Sequence, residues 1–510
     1  MKKALKWLTP AVMAVLFLVM YLVEYRHVII FHEQHHLFRF SADHIAWTVH
    51  EYGLWQMLTE FVAQFAYWPW LGAAVWTALL MATYFMARSA IWRLTGLRDR
   101  LQLSAILPVV QFFSTINVDQ FPTLALEIFT WTLLAWVVAL IFGRFIPKRW
   151  ASDDASKLAR TMNWVGPLIF LAIFALGYQN FYKARSVTLP SGKVREMTSE
   201  DVHQQRRIER IMMAADQAMR RKDWDTVLEL ADEQAATGRP NHLIDYFRTM
   251  ALYHKGQLLE RLFDHPQKFG QRALFYPWKP DRNQAEYGGY VYEQLGALNS
   301  AIHWEFEALV GWGETSHHLI NLSRYYIKAG KPEQARKFMA PLRSTLFYRG
   351  AYNRLEEQLK AGDVEEIHNA APEQTDSLPR WDNVVDLAED LAFLYRNDPE
   401  NKMVQEYLLA SMLLKNRYAD FYRMLKMFWP AGKPLPKMIQ QALCLVRIQY
   451  GSEQLKADGF EISPEVDADF RDYLSRHSKG QAARYTLTQK QTPWYYVHYI
   501  SPEGHQLIFD

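Results

Sequence analysis

The segment His32-Glu33-Gln34-His35-His36 has the residue types of a metal site or an acid–base site. His32 and His36 lie four residues apart, so on a helix they share one face, as zinc ligands do. The string fits the H-E-x-x-H pattern, but no third ligand and no downstream zinc-protease signature follows it. We interpret these residues as interfacial histidines near lipid headgroups, with a metal site and a polar ligand site as the alternatives.

Other ionisable residues lie in or beside apolar stretches at a similar depth. Carboxylates at membrane depth are costly and usually face a bundle interior or an aqueous cavity. Their shared depth predicts a polar pocket at the outer membrane face, lined by Glu24, Arg26, His27, His32, Glu33, His36, Glu60, Asp119 and Glu127. The alternative is local pairing at the interface, in which Glu24 reaches Arg26 or His27.

The sequence gives little support to an enzyme. It has no phosphate-binding glycine loop, nucleophile elbow, kinase motif set or CxxC metal motif. A net charge of +3 from 57 basic and 54 acidic residues gives no case for a nucleic-acid partner. The single cysteine, Cys444, lies in an apolar run and is predicted to be a buried, inert thiol. We predict no cofactor and no metal, and catalytic residues stay unassigned.

The elements that position the polar residues are five apolar stretches. A helix needs about 20 apolar residues to cross a hydrocarbon core of ~30 Å. The sequence predicts a bundle of about five transmembrane helices within residues 1–183, although Pro108 interrupts the third. The predicted spans are residues 9–30, 70–91, 101–116, 122–145 and 164–182.

Charge asymmetry predicts the orientation of this bundle. Positive residues concentrate in cytoplasmic connections. The basic residues cluster before the first span, between the second and third, and between the fourth and fifth: Lys2, Lys3, Lys6, Arg88, Arg93, Arg98, Arg100, Arg144, Lys148, Arg149, Lys157 and Arg160. Five spans then put the N-terminus in the cytoplasm and the C-terminal domain outside it, in a bacterial inner membrane.

The connection before the second span contains an amphipathic segment over residues 54–65. Gln56, Glu60 and Gln64 are spaced by four and form a polar stripe. We interpret the segment as a helix on the outer interface. The alternative is a re-entrant segment that lines a cavity open to the outside.

The rest of the chain predicts an all-α fold: a linker over residues 184–200, TPR-like helical repeats over 201–459, and a cap of uncertain structure over 460–510. The clearest repeat pairs Leu319, Leu322 and Tyr325 with Ala335 and Phe338 across a glycine turn, which resembles a tetratricopeptide repeat. Weaker copies are centred on residues 222–224 and 416–418, and a partial copy ends at 254–257. Five tryptophans are predicted to fill this core: Trp278, Trp304, Trp312, Trp381 and Trp429.

The whole chain resembles an uncharacterised bacterial family of multi-span inner-membrane proteins with a TPR-like tail. The resemblance rests on the motifs at residues 31–34, 65–73 and 492–496. It implies a multi-pass membrane location and no particular activity or catalytic residue.

Two functions are therefore predicted as alternatives. The first is a membrane-anchored scaffold whose outward-facing repeats bind an envelope protein or peptide, since stacked helix pairs form curved binding surfaces. The second is an envelope glycan or lipid-linked saccharide transferase that uses the outer-face pocket, which rests on architectural analogy alone. The predicted partners are the lipid bilayer and an envelope protein or peptide.

Overall fold

The computed structural model describes residues 7–145, 157–183, 186–188, 194–277, 282–365, 367, 387–430, 432–479 and 485–504. Within these ranges the chain is helical apart from one two-stranded antiparallel hairpin. The predicted all-α class is thus confirmed. The chain divides into two compact units, and neither is a single stretch of sequence. The first unit comprises Met1–Arg207, Trp312–Ser323 and Arg336–Glu357, and the second comprises Ile208–Gly311, Arg324–Ala335 and Gln358–Asp510.

The N-terminal part of the first unit contains eight α-helices in its described residues. They are α1 (Leu8–Val19), α2 (Arg26–His35), α3 (Ala42–Glu51), α4 (Leu54–Ala63), α5 (Pro69–Thr95), α6 (Ile106–Thr115), α7 (Thr123–Phe142) and α8 (Lys157–Lys183). The predicted linker contains the hairpin, in which β1 (Ser186–Thr188) pairs with β2 (Val194–Glu196).

Three helical segments in the described residues are long and apolar enough to cross a membrane. They are Pro69–Thr95, Thr123–Phe142 and Trp164–Tyr182, which match the second, fourth and fifth predicted spans. The third predicted span is the short helix α6, preceded by a 3-10 turn at Leu103–Ala105. Its ten residues extend only about 15 Å, half of a hydrocarbon core. Three to four candidate spans are therefore observed, and the count of five is not confirmed.

The first predicted span bends by 71° between Leu8–Glu24 and Arg26–His35. A π-helical turn, Met20–Glu24, follows α1, and Tyr25 then leaves the helical conformation at φ −118° and ψ 20°. π-turns are a recognised cause of helix kinks and recur at functional sites. The bend falls where charged and polar residues replace the apolar run, so α2 points its histidines in a new direction.

An aromatic core joins α1, α6 and α8. The ring centroids of Phe17 lie 5.4 Å from Phe112 and 5.9 Å from Phe170. The Tyr21 hydroxyl lies 2.5 Å from Thr115 Oγ1, which satisfies both buried hydroxyls. This core fixes α1 up to the π-turn and so fixes where α2 begins.

The remaining helices follow in sequence and include those of the second unit. They are α9 (Ser199–Arg220), α10 (Trp224–Ala235), α11 (His242–His254), α12 (Leu258–Arg261), α13 (Arg282–Leu295), α14 (Leu298–Trp312), α15 (Ser316–Lys328), α16 (Pro332–Met339), α17 (Arg349–Ala361), α18 (Leu387–Asn397), α19 (Lys402–Leu414), α20 (Tyr418–Phe428), α21 (Lys437–Ala457), α22 (Pro464–Ser478), α23 (Leu487–Lys490) and α24 (Pro493–Tyr495).

Each repeat copy quoted from the sequence falls on a helix, a tight turn and a second helix. The turns between α9 and α10, α11 and α12, α15 and α16, and α19 and α20 each contain a residue at positive φ: Lys222 (55°), Gly256 (66°), Gly330 (68°) and Asn416 (58°). Such a residue ends a helix and lets the chain reverse. In the clearest copy, Leu322, Tyr325 and Ala335 are fully buried. The helix pairs are thus observed, whereas their assignment as TPR-like repeats stays a prediction.

The predicted tryptophan fillers have different environments. Trp304 is 2% exposed, and a Cβ at Gly288 would come within 2.4 Å of its ring, which explains the glycine there. Trp312 and Trp429 are half-buried. Trp278 and Trp381 lie outside the described residues.

The C-terminal aromatic segment, residues 493–500 of the cap whose structure the sequence left uncertain, is helical. The short helix α24 continues into a π-turn, Tyr496–Ile500. Trp494 is fully buried, and its indole N–H donates to the Gln441 carbonyl at 2.6 Å. The segment therefore packs on α21 within the second unit.

Candidate functional site

The histidine-rich segment forms the last turn and end of α2, where it is packed among aromatic rings of the first unit. The His36 ring stacks on Phe121 with centroids 3.6 Å apart, and His32 meets the same ring edge-on at 5.8 Å. On the other side, His35 lies 4.2 Å from Trp312. Phe121 lies in the connection between α6 and α7, and Trp312 ends α14. Both partners are distant from α2 in sequence.

Hydrogen bonds fix the orientation of two of these rings. His35 Nδ1 lies 2.8 Å from the Phe31 carbonyl, and His36 Nδ1 lies 3.1 Å from the His32 carbonyl. A carbonyl oxygen only accepts, so each Nδ1 carries a proton and donates. These bonds hold the imidazoles against their own helix, which suits packing better than proton transfer.

Glu33 is 5% exposed and accepts a hydrogen bond from the Tyr348 hydroxyl at 2.6 Å across 315 residues of sequence. Burial raises the pKa of Tyr348, and the negative charge of Glu33 raises it further. The phenol therefore stays protonated and acts as a donor. A backbone bond from Phe40 N to Ser344 O, 2.7 Å long, joins the same two segments of the first unit. Tyr348 thus anchors the chain before α17 to α2.

Removing this phenol tests the anchor. We expect Tyr348→Phe to destabilise the first unit by about 1.5–3 kcal/mol, because the buried Glu33 carboxylate loses a donor. The measurement is thermal unfolding of the full chain in detergent, with amide exchange in α2 as the local readout. A double-mutant cycle with Glu33→Gln isolates the pair.

The matched control is Tyr352→Phe. Its hydroxyl donates at 2.7 Å to Glu356, one turn away on α17, in a more exposed setting. We expect little effect, since exposed pairs contribute at most about 1 kcal/mol. Equal losses from both variants would contradict the anchoring role of Tyr348.

Glu24 pairs with a residue that the sequence did not suggest. Arg206 in α9 lies 2.5 Å from the Glu24 carboxylate, at a separation of 182 residues. The guanidinium also lies over the rings of Tyr178 and Tyr182, 5.6 Å from each centroid, a cation–π arrangement. Arg26 is exposed, and His27 is buried. The alternative reading predicted that Glu24 pairs with Arg26 or His27. Glu24 is indeed paired with a cation, but that cation is Arg206.

Glu60 lies on the inward face of α4. It accepts from Gln56 Nε2 at 3.0 Å, and its other oxygen lies 3.5 Å from His44 Nε2. Both Glu60 and Gln64 are buried, while Leu54 on the same helix is 46% exposed. The polar stripe predicted from the spacing therefore faces protein.

The two remaining carboxylates of the predicted pocket occupy further environments. Asp119 is exposed in the α6–α7 connection. Glu127 is half-buried and lines a cavity of about 480 Å³ formed by α5, α6 and α7. The rest of that lining is almost entirely apolar, including Leu107, Ile128 and Trp131. Glu24, Glu33, Glu60 and Glu127 thus each have separate neighbours, and a shared pocket stays a prediction.

The described residues contain no group of three or more histidine, cysteine, aspartate or glutamate side chains that could hold a metal ion. What the site does contain is a set of long-range anchors: Phe121, Trp312, Tyr348 and Arg206. No local sequence pattern predicts the roles of Phe121, Trp312 and Tyr348. For Arg206, the one signal in the sequence was that a carboxylate at membrane depth, Glu24, requires a cation nearby.

Fold and site together define a helical protein that has three to four apolar helices long enough to cross a membrane and a second helical unit. A family model matches residues 2–152 and 153–500. The chain belongs to that family, the family of unknown function DUF6057. Neither the curated proteins nor the solved structures contain a match to the chain.

Proposed function

We propose that the chain is a membrane-anchored scaffold of a bacterial inner membrane, whose helical second unit binds another envelope protein or peptide outside the cytoplasm. The observation that carries the proposal is the series of helix pairs joined by positive-φ turns, found beside three to four apolar helices. One helix pair cannot bury its apolar face alone, so successive pairs stack and form an extended surface suited to peptides and proteins. We infer that these pairs are degenerate TPR-like repeats.

The proposed orientation rests on the basic connections and on an odd number of crossings. This arrangement requires a third crossing at the short apolar segment Leu103–Thr115, which includes α6 and the 3-10 turn before it. Its start is fixed by Asp99, which accepts from the backbone N–H groups of Leu103 and Ser104 at 2.8 Å each. If the bent pair Leu8–Glu24 and Arg26–His35 is one crossing, loss of the crossing at α6 leaves four, and the second unit would face the cytoplasm.

Cysteine labelling tests this orientation. The native Cys444 is fully buried, and burial raises the pKa of its thiol to about 12, so it should not react with a maleimide in the folded chain. We expect Glu461→Cys, at an exposed position, to react with a membrane-impermeant maleimide on intact spheroplasts. The unmodified chain is the control. Reaction of Glu461→Cys only after lysis would overturn the orientation.

Site-specific photo-crosslinking in the full chain tests the partner. Val310 and Met427 are apolar and are 84% and 60% exposed in the second unit, so a photoreactive residue there reports on contacts at its surface. We expect a discrete crosslinked species from at least one of them and none from the polar control position Glu461. Indistinguishable patterns at all three positions would count against the scaffold.

The transferase alternative receives less support from the observed contacts. Glu24, Glu33 and Glu60 are engaged by Arg206, Tyr348 and Gln56 respectively. A catalytic carboxylate needs access to its substrate, which these contacts restrict. Glu127 does line a cavity, but one with few polar partners for a saccharide.

A further inference from the structure

A second cavity, of about 380 Å³, lies entirely within the second unit. Its walls come from α12, the first two turns of α21, one face of α22 and the segment 486–494. The bond from Gln491 Nε2 to the Asp264 carbonyl, 2.9 Å long, joins the C-terminal segment to the 3-10 turn after α12. The cavity therefore depends on the packed C-terminal cap.

The floor of this cavity is buried and capable of hydrogen bonding. Gln441, Gln489 and Thr492 are 7%, 7% and 2% exposed. Gln489 is already used, because it donates to Asp472 at 2.7 Å and accepts from Thr486 N at 3.1 Å. The side-chain amide of Gln441, in contrast, makes no hydrogen bond within the part of the chain that the structure describes. Gln441 is not among the described residues whose buried polar atoms lack a partner, so its amide is open to the cavity and available to a ligand.

The rim of the cavity is acidic. Its lining contains one lysine, Lys437, and four carboxylates: Glu260, Asp264, Asp469 and Asp472. Asp469 and Asp472 lie three residues apart on α22 and so share a face.

Nearby cations occupy some of these carboxylates and leave others available. Arg261 lies 2.9 Å from Asp264, and Arg476 lies 2.8 Å from Asp472. Lys437 is closer to Glu465, outside the lining, than to Asp469, at 2.8 Å against 3.9 Å. Asp469, whose ion pair with Lys437 is long at 3.9 Å, and Glu260 are thus the lining carboxylates that a further cation can approach.

We propose that this cavity binds the ammonium or guanidinium group of a cationic ligand. Asp469 and Glu260 supply the negative charge at the rim. At the floor, the side-chain carbonyl oxygen of Gln441 accepts a hydrogen bond from the bound cation. A hydrogen bond to a charged group is roughly twice as strong as a neutral one, which favours a cation over an uncharged polar ligand. The cation is carried either by a basic peptide side chain or by a free polyamine. The inference goes beyond the proposed function, since a polyamine would bind whether or not the chain has a protein partner.

The test is calorimetric titration of the full chain in detergent at low salt with two probes. One is spermidine, and the other is a short peptide with a central arginine, paired with its citrulline counterpart. Binding of spermidine alone identifies a free polyamine, and binding of the arginine peptide alone identifies a side chain. Binding of neither probe, or equal binding of the arginine and citrulline peptides, overturns the proposal.

Substitutions give effects of opposite sign. We expect Asp469→Asn with Glu260→Gln, and separately Gln441→Leu, to weaken binding about tenfold or more, because each removes groups that contact the cation. Lys437→Gln should strengthen binding several-fold, since it removes a like charge from the rim. The control Glu461→Gln removes an exposed carboxylate near α22 that does not line the cavity.

If Glu461→Gln weakened binding as much as the rim variants, the effect would be one of general charge, and the proposed site would be overturned. Weaker binding by Lys437→Gln would overturn it as well. Circular dichroism of each variant separates lost binding from lost folding. The proposed scaffold fails by the photo-crosslinking result instead, so the two failures are distinguishable.

Discussion

Replacing Arg220 by methionine is expected to destabilise the second unit by about 3–5 kcal/mol, because it leaves two buried carboxylates without their cation. Arg220 lies between Asp216 and Glu286, at 2.8 Å and 2.6 Å, and the side chains of these acids are 8% and 2% exposed. Tyr290 donates to the free oxygen of Asp216 at 2.9 Å. The cluster ties α9 to α13 and contributes to stability only while it is complete.

The loss should depend on pH in a defined direction. Burial already raises the pKa of Asp216 above its unfolded value, although Arg220 opposes the shift. A carboxyl group with a raised folded pKa favours folding when it is protonated, and this contribution is lost as the pH rises through the folded pKa. Without Arg220 the rise in pKa is larger. The deficit of Arg220→Met should therefore be larger at pH 7 than at pH 4.5.

Thermal unfolding of the full chain at both pH values, with amide exchange in α9 and α13, measures this effect. The control is Arg210→Met, which breaks a 2.7 Å pair with Glu233 whose side chains are 54% and 32% exposed. We expect that control to cost at most about 1 kcal/mol. A deficit of Arg220→Met that is small or independent of pH would show that the carboxylates are hydrated.

Truncating Trp494 to alanine is expected to cost about 3–5 kcal/mol, the range for a large aromatic side chain removed from a core. The indole is fully buried, with ring centroids 4.9 Å from Phe470 and 5.6 Å from Tyr473. The substitution also removes the donor to the Gln441 carbonyl. The cap should then separate from α21 and α22.

Trp494→Phe is an intermediate variant, because it keeps one aromatic ring in the core while it removes the indole N–H and part of the ring volume. We expect it to cost less than the alanine variant. Trp429→Ala is the control, since that ring is half-buried and lies 4.7 Å from Lys433 Nζ. Unfolding of the full chain and exchange in α22 are the readouts. Similar losses for both alanine variants would contradict a packed cap.

The sequence predicted the helix pairs because the information for them is local. Gly256 and Gly330 mark turns that need positive φ, and apolar spacing marks the faces on either side. Lys222 and Asn416 adopt positive φ in the corresponding turns of two other copies. Neither residue marks such a turn as clearly as glycine does, so these copies were harder to recognise. The long apolar runs were likewise local. The helices α5 and α7 and the apolar part of α8, Trp164–Tyr182, follow the predicted bounds within a few residues.

The kink and the short third helix were less predictable. An apolar run has the same composition whether its helix is straight or bent. The composition of residues 9–30 therefore did not predict the break in the helix at Tyr25. The break depends on a π-turn and on the Thr115 partner of Tyr21. For α6, Asp99 places the start, and the described helix ends at Thr115.

The sequence by itself thus determined the helical class, the apolar helices, the helix pairs and the presence of costly polar groups near them. Each follows from spacing and composition within a few turns of helix. The tertiary structure alone decided which partners those polar groups have. His32, Glu33 and His35 were visible as a group, but their partners Phe121, Tyr348 and Trp312 lie 89 to 315 residues away in the sequence. Burial makes a partner necessary, and only the packed chain selects which distant residue supplies it.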